Sequence, residues 1–318
     1  MKTNTTDNPG VLAGRAPGWS ALAREYYQLT KPRVVGLIIF TAVVGMFLST
    51  PGMVPVSTLL LGTLGIGLAA ASGAAMNHIL DRDADSVMKR TRHRPLPTGH
   101  LNAIQAMIFA CMLSMASMLI LAIWVNTLTA VLTFASMVGY AVVYTVFLKR
   151  ATPQNIVIGG AAGAMPPVLG WTAVTGQVSP DALLLFLIIF CWAPPHFWAL
   201  ALYREKEYAS VGIPMLPVTH GRRFTQIYIV CYTLLLAAVS IMPFATRMSG
   251  LPYLFGALVL NGWFIAYAVA LYRNYSDRLA RRTFLFSIQY LAWLFAIMLV
   301  DHYREPILDL AAGLFGAG

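Results

Sequence analysis

Charge is scarce in this sequence. Of 318 residues only 11% are Asp, Glu, Lys or Arg, less than half the share of an ordinary soluble domain, about 25%. The deficit falls mainly on one sign, with 12 acidic residues against 22 basic ones. Such a chain is not disordered, not a charged coiled coil and not a water-soluble enzyme. Cysteine is scarce too. Cys111, Cys191 and Cys231 lie inside apolar runs, which excludes a disulfide framework and a Cys-x-x-Cys metal site. What is there is 58% hydrophobic and reads as an all-α, polytopic membrane protein. The net charge of +10 then points to loops on anionic lipid or to an anionic substrate, not to nucleic acid.

Uncharged stretches run over 34–80, 95–148, 151–180, 182–203, 224–246, 248–272 and 283–300. A bilayer-crossing helix needs about 20 residues. The first stretch is interrupted by Pro51, Gly52 and Pro55, the second by Asn126-Thr127, so each holds two spans and the other five hold one each. The sum is nine transmembrane helices, expected to bundle around a central cavity. The expected organisation is a disordered tail over 1–20, one transmembrane domain over 21–305 with cytoplasmic loops near 81–101 and 203–223, and a short apolar end over 306–318. No cleavable signal peptide is expected, because the first apolar run starts only at Val34 and lacks a small-residue cleavage site.

Nine spans put the termini on opposite sides. Lys and Arg divide 20 to 2 between the two sets of loops, the minority being Arg247 and Arg304. The positive-inside rule therefore predicts a cytoplasmic N-terminus and an external C-terminus.

Two cytoplasmic loops carry chemistry. In the first, Asn77, Asp81 and Asp85 are spaced i, i+4, i+8 and share a helix face, with Asp83 turned away. An amide oxygen and two carboxylates on one face suit Mg²⁺, which takes one or two carboxylates plus phosphate oxygens. Lys89, Arg90, Arg92 and Arg94 follow, so metal ligands and phosphate-binding cations lie together, as a Mg²⁺–diphosphate requires. The second loop follows the sixth span. There Pro194-Pro195 predicts a break or kink, and a break at membrane depth lines a cavity. His196 comes next, a functional candidate because it is ionisable inside an apolar run. Tyr203, Lys206 and Glu207 end this segment. A third cluster, Lys149 to Asn155, joins spans four and five on the same side; Pro153 can start the fifth helix there and turn Asn155 toward the bundle.

These features together resemble the UbiA superfamily of intramembrane prenyltransferases. The phrases that carry the resemblance are Lys31-Pro32-Arg33, NHILDRDADSVMKRTRHRPLPTG, NIVIGGAAGAMPPVLGW, WAPPHFWALALYREKEY and GIPMLPV. Within the superfamily they are most similar to its haem-farnesylating branch, the haem O synthases. Prenyltransferases acting on quinone precursors or chlorophyllide usually carry a second DxxxD, where this chain has Tyr203 and Glu207; such an acceptor is the alternative reading. A transporter or an oxidase assembly subunit would not need the first motif.

The resemblance implies an enzyme of the bacterial inner membrane that joins the farnesyl group of farnesyl diphosphate to haem B with addition of water, giving haem O and diphosphate. It implies Mg²⁺ on Asn77, Asp81, Asp85 and Glu207. Lys89, Arg90, Arg92, Arg94, Lys149, Asn155, Tyr203 and Lys206 would meet the diphosphate or the haem propionates. Asp81, Asp85 and His196 would be catalytic, His196 either ligating haem iron or accepting a proton from the attacking water. A haem A synthase or oxidase assembly factors are the implied protein partners.

Overall fold

A computed structural model describes residues 19–304, and among them every regular element is helical. The expected ends over 1–18 and 306–318 lie outside the described residues, and Trp19 and Ser20 already belong to the first helix. Twelve helices follow in order. Helix α1 (Trp19–Leu29) bends by 54° into α2 (Pro32–Leu48). Next come α3 (Val56–Leu80), the short α4 (Arg82–Val87), α5 (Ala103–Val125) and α6 (Thr127–Ala151). Helix α7 (Asn155–Thr175) precedes α8 (Pro180–Tyr203) and the short α9 (Glu205–Ser210). The last three are α10 (Leu216–Ala245), α11 (Leu251–Arg273) and α12 (Asp277–His302). Eight of these are long and apolar enough to cross a membrane, and the α1–α2 pair makes a ninth.

Local sequence sets the helix starts. Asn102 and Gln105 form a reciprocal capping box on α5, Ser179 caps α8 ahead of Pro180, and Ser276 caps α12, each pairing a backbone N–H that a helix start leaves open. Lipid offers no hydrophobic drive between helices, so close packing relies on small residues. Along α3, Gly62, Gly65, Gly67 and the run from Ala69 to Ala75 line the contact with α5 and α2. Helices α2 and α7 touch through backbone: a Cβ on Gly45 would come within 2.2 Å of the Pro167 carbonyl oxygen, and one on Gly170 within 1.9 Å of that of Ala42. The main core lies among α2, α7, α8 and α10–α12, with Tyr253, Phe264, Tyr290 and Phe295 fully buried. Contacts between α2 and α12 bring the first and last spans together.

Two expectations about irregular backbone change. The double proline does not break α8, which runs unbroken from Pro180 to Tyr203. Both prolines are buried, and in a membrane protein neighbouring helices can carry the groups a proline frees. In α7 the sequence pair Pro166-Pro167 does mark an interruption, Met165 separating Asn155–Ala164 from Pro166–Thr175. The expected loop over 203–223 is mostly helical, with a kink in α10 at Gly221, φ 77°.

Opposite rims of the bundle are tied separately. At one, Tyr275 donates to the Leu202 carbonyl (3.1 Å) and Arg223 to that of Tyr272 (2.6 Å). At the other, Tyr303 donates to the Phe47 carbonyl (2.9 Å) and the Gly250 N–H to Asp301 (2.5 Å).

Candidate active site

The first rim gathers the predicted acidic motif. Helix α3 ends at Leu80 and α4 begins at Arg82, yet the register survives across Asp81. The Asp81 N–H donates to the Asn77 carbonyl (3.0 Å) and the Asp85 N–H to that of Asp81 (2.8 Å). That i to i+4 pattern keeps Asn77, Asp81 and Asp85 in line, and all three are buried. Asp83 lies outside the line, with its side chain 86% exposed beside Arg82.

Each motif residue meets a cation. Lys149 Nζ donates to Asp81 Oδ2 at 2.5 Å, and Asn77 Nδ2 donates to the same oxygen at 2.8 Å. Arg94 donates to Asp85 Oδ2 at 2.6 Å. Lys31 donates to Asn77 Oδ1. Lys31 belongs to the site although sequence reasoning noticed only its place in a matching phrase. It precedes Pro32 with a left-handed φ of 48°, a conformation that costs a non-glycine residue energy, and it puts a cation at the positive end of α2. Neither feature helps the helix; both bring its ammonium to Asn77.

Lys149 is presented by an unusual stretch of α6. From Gly139 to Leu148 the helix winds as a π-helix, and Tyr140 and Tyr144 stack there with ring centroids 5.6 Å apart. Asn155 is fully buried and donates to the Lys149 carbonyl at 3.2 Å, so it holds the end of α6. Met88 of the first loop and Tyr208 of the second belong to one buried cluster with Ile156, which links the two loops.

In that loop Arg204 donates to Glu207 Oε1 and covers the Tyr203 ring, 5.3 Å from its centroid. Burial works against the Arg204 charge, but the Glu207 hydrogen bond and charge outweigh it and raise the pKa. Burial also raises that of Tyr208, against the opposing pull of Arg90. Glu207 is engaged by Arg204, and among the described residues no three His, Cys, Asp or Glu side chains gather at metal-binding range. Lys89, Arg90, Arg92 and Lys206 are exposed.

His196 is buried in α8 between two rings: Trp192, centroids 4.3 Å apart, and Phe284 of α12, 4.6 Å apart. Its Nδ1 lies 2.6 Å from Ser287 Oγ. The Ser287 hydroxyl donates to the Phe284 carbonyl at 2.7 Å, so it accepts from His196, which fixes the proton on Nδ1 and leaves the Nε2 lone pair available. Sequence reasoning missed Phe284 and Ser287, because an aromatic and a serine in an apolar run carry no local signal.

A bundle of eight or nine candidate membrane spans among the described residues, with a buried amide–carboxylate line faced by three cations at one rim, has the form of an intramembrane enzyme. The UbiA prenyltransferase family model matches residues 38–296, and the chain belongs to that family. It is 61% identical to the protoheme IX farnesyltransferase of Nitrosospira multiformis, over 92% of this chain and 99% of that one. With the protoheme IX farnesyltransferase of Nitrosococcus oceani it shares 60% identity over 94% of this chain and 98% of that one. The fold is similar to that of a digeranylgeranylglyceryl phosphate synthase, with TM-score 0.75, 17% identity and 89% and 99% of the two chains covered. It is also similar to a UbiA homologue from Archaeoglobus fulgidus bound to DMAPP and Mg²⁺, with TM-score 0.58, 18% identity and 87% and 99% covered.

Proposed function

We propose that this prenyltransferase converts haem B to haem O. The C1–O bond of farnesyl diphosphate breaks, a haem vinyl group forms a carbon–carbon bond to C1, and water adds its hydroxyl to the neighbouring carbon. The water proton and the diphosphate leave. The observation that carries this reading is the buried Asn77–Asp81–Asp85 line with Lys31, Arg94 and Lys149 upon it. Its donors are all hard oxygens, two of them carboxylates, which fits Mg²⁺ alongside phosphate oxygens. Mg²⁺ held by Asn77, Asp81 and Asp85 would neutralise charge on the departing diphosphate.

The chain's own residues do the rest. Lys31, Arg94 and Lys149 already touch the three ligands, so they can turn to phosphate oxygens without crossing the site. Charge stabilisation of a leaving group in a dry site is commonly the largest catalytic contribution. Asn155 keeps Lys149 in place through its carbonyl. His196, with its proton held on Nδ1 by Ser287, offers Nε2 either to haem iron or to the proton of the attacking water. The surrounding apolar helices exclude water from the allylic cation until the vinyl group has reacted.

The same reading sets the enzyme in the bacterial inner membrane, with the diphosphate rim cytoplasmic, as the Lys/Arg distribution demands. A haem A synthase or an oxidase assembly factor is the expected partner. The test is expression in a bacterium lacking haem O, followed by absorption and mass spectra of the extracted haem. The hydroxyethylfarnesyl product is expected. Haem B alone, with a prenylated quinone precursor or chlorophyllide in the lipid extract, would replace haem as the acceptor.

A further inference from the structure

A second cavity-bearing cluster sits on the rim near the diphosphate site but is built from other helices. A cavity of about 640 Å³ opens between the end of α8 and the start of α12, lined by Tyr203, Arg204, Asp277, Arg278, Arg281 and Phe284 among others. That volume lies within the ordinary range for small-molecule sites, about 300–1,000 Å³. Phe284 is shared, since its ring also stacks on His196. Tyr203 meets Phe284 edge-on, with centroids 6.3 Å apart. One end of the cavity is therefore aromatic, with Phe284 standing between it and His196, and the other is basic.

Two guanidiniums of the basic end form no internal ion pair. Arg204 is engaged by Glu207. Arg278 and Arg281 are exposed and form no ion pair among the described residues. The one lining carboxylate, Asp277, accepts the Tyr275 hydroxyl at 2.6 Å. Arg278 and Arg281 lie three residues apart on one face of the first turns of α12. Cations there oppose the helix dipole, so helix stability does not explain them. Guanidinium forks on a shared face suit carboxylates, which they bind through paired hydrogen bonds.

We propose that this cavity seats the propionate end of the porphyrin acceptor, with Arg278 and Arg281 as the carboxylate-binding residues. The inference rests on the haem reading given above. It gives donor and acceptor separate docking points. The diphosphate is held from α2, α3, α4 and α6, and the porphyrin carboxylates from α8 and α12. The porphyrin plane lies against Tyr203 and Phe284 and points its vinyl edge inward past His196. The oxyanion could instead be a lipid headgroup or the diphosphate itself, and the experiment separates these.

The purified full chain, in detergent and in nanodiscs with and without phosphatidylglycerol, is titrated with haem B, with haem B dimethyl ester, and with farnesyl thiodiphosphate as a non-reacting donor. Wild type should prefer haem B over the ester by about tenfold or more, the scale of one or two charge-assisted hydrogen bonds. The double variant Arg278→Gln/Arg281→Gln should lose that preference and keep its affinity for the ester and for farnesyl thiodiphosphate. Arg278→Lys/Arg281→Lys should restore part of the preference. A double variant that still prefers haem B overturns the proposal. So does equal weakening of all three ligands, or a preference that exists only in nanodiscs containing phosphatidylglycerol. A wild type that binds neither haem nor its ester overturns the haem reading itself. Wild type making haem O while Arg278 and Arg281 prove indifferent overturns this proposal alone.

Discussion

His196 and Ser287, on helices α8 and α12, share a hydrogen bond of 2.6 Å in which the serine hydroxyl is committed to the Phe284 carbonyl. The pairing favours the tautomer with its proton on Nδ1. Ser287→Ala should therefore unsettle the tautomer without removing the ring. A loss of about 5–10-fold in haem O formation is expected, the scale of one buried hydrogen bond, with affinity for farnesyl thiodiphosphate unchanged. His196→Ala should lose far more turnover and alter the spectrum of bound haem B. Equal weakening of both substrates in either variant would mean that the pair only joins two helices.

Asp81 carries two donors, Asn77 and Lys149, on one oxygen. Asp81→Asn and Asp85→Asn should each remove most turnover, because each would delete a proposed ligand of the Mg²⁺ that stabilises the leaving diphosphate. Asp83→Asn should behave as wild type, since its side chain is turned out beside Arg82. Steady-state rates at saturating Mg²⁺ test the order. An Asp83 variant as inactive as the Asp81 variant would refute the single-face arrangement.

Glu207 bears on the metal stoichiometry. Its carboxylate is held by Arg204, which lines the rim cavity. Glu207→Gln should raise the KM for haem B several-fold, because Arg204 loses the partner that holds it over the Tyr203 ring at the cavity wall. The Mg²⁺ concentration for half-maximal rate should not move. A shift of that midpoint would instead make Glu207 a ligand.

Gly170 lets α7 lie against the backbone of α2. Gly170→Val should separate the helices and destabilise the protein by at least about 1–3 kcal/mol, the range for overpacking, because the obstacle is a carbonyl that cannot rotate away. Thermal unfolding in detergent reads this directly. Gly163→Ala, where a Cβ meets nothing within 4 Å, is the matched control and should keep wild-type stability.

Orientation is tested by fusing a reporter active only in the cytoplasm. It should work at the N-terminus and fail after Gly318, following the 20-to-2 division of Lys and Arg. The opposite pattern would move the diphosphate rim to the outer face.

Much of this protein was settled by its sequence. Membrane solvent leaves few options, so long uncharged runs become helices whatever their neighbours do. The positions of the spans, the grouping of Asn77, Asp81 and Asp85, and the candidacy of His196 all follow from local spacing. The i to i+4 register needs only neighbouring backbone, and it survived even the interruption at Asp81. Local rules did not decide whether Pro194-Pro195 would break its helix, because the fate of a carbonyl freed by proline depends on which helices surround it. The tertiary structure alone decided which distant residues meet. Lys31 reaches Asn77 across 46 positions and Lys149 reaches Asp81 across 68, while Ser287 selects the nitrogen of His196 from 91 residues away. Such pairings are set by which helix packs on which, and that is a property of the whole bundle rather than of any one segment.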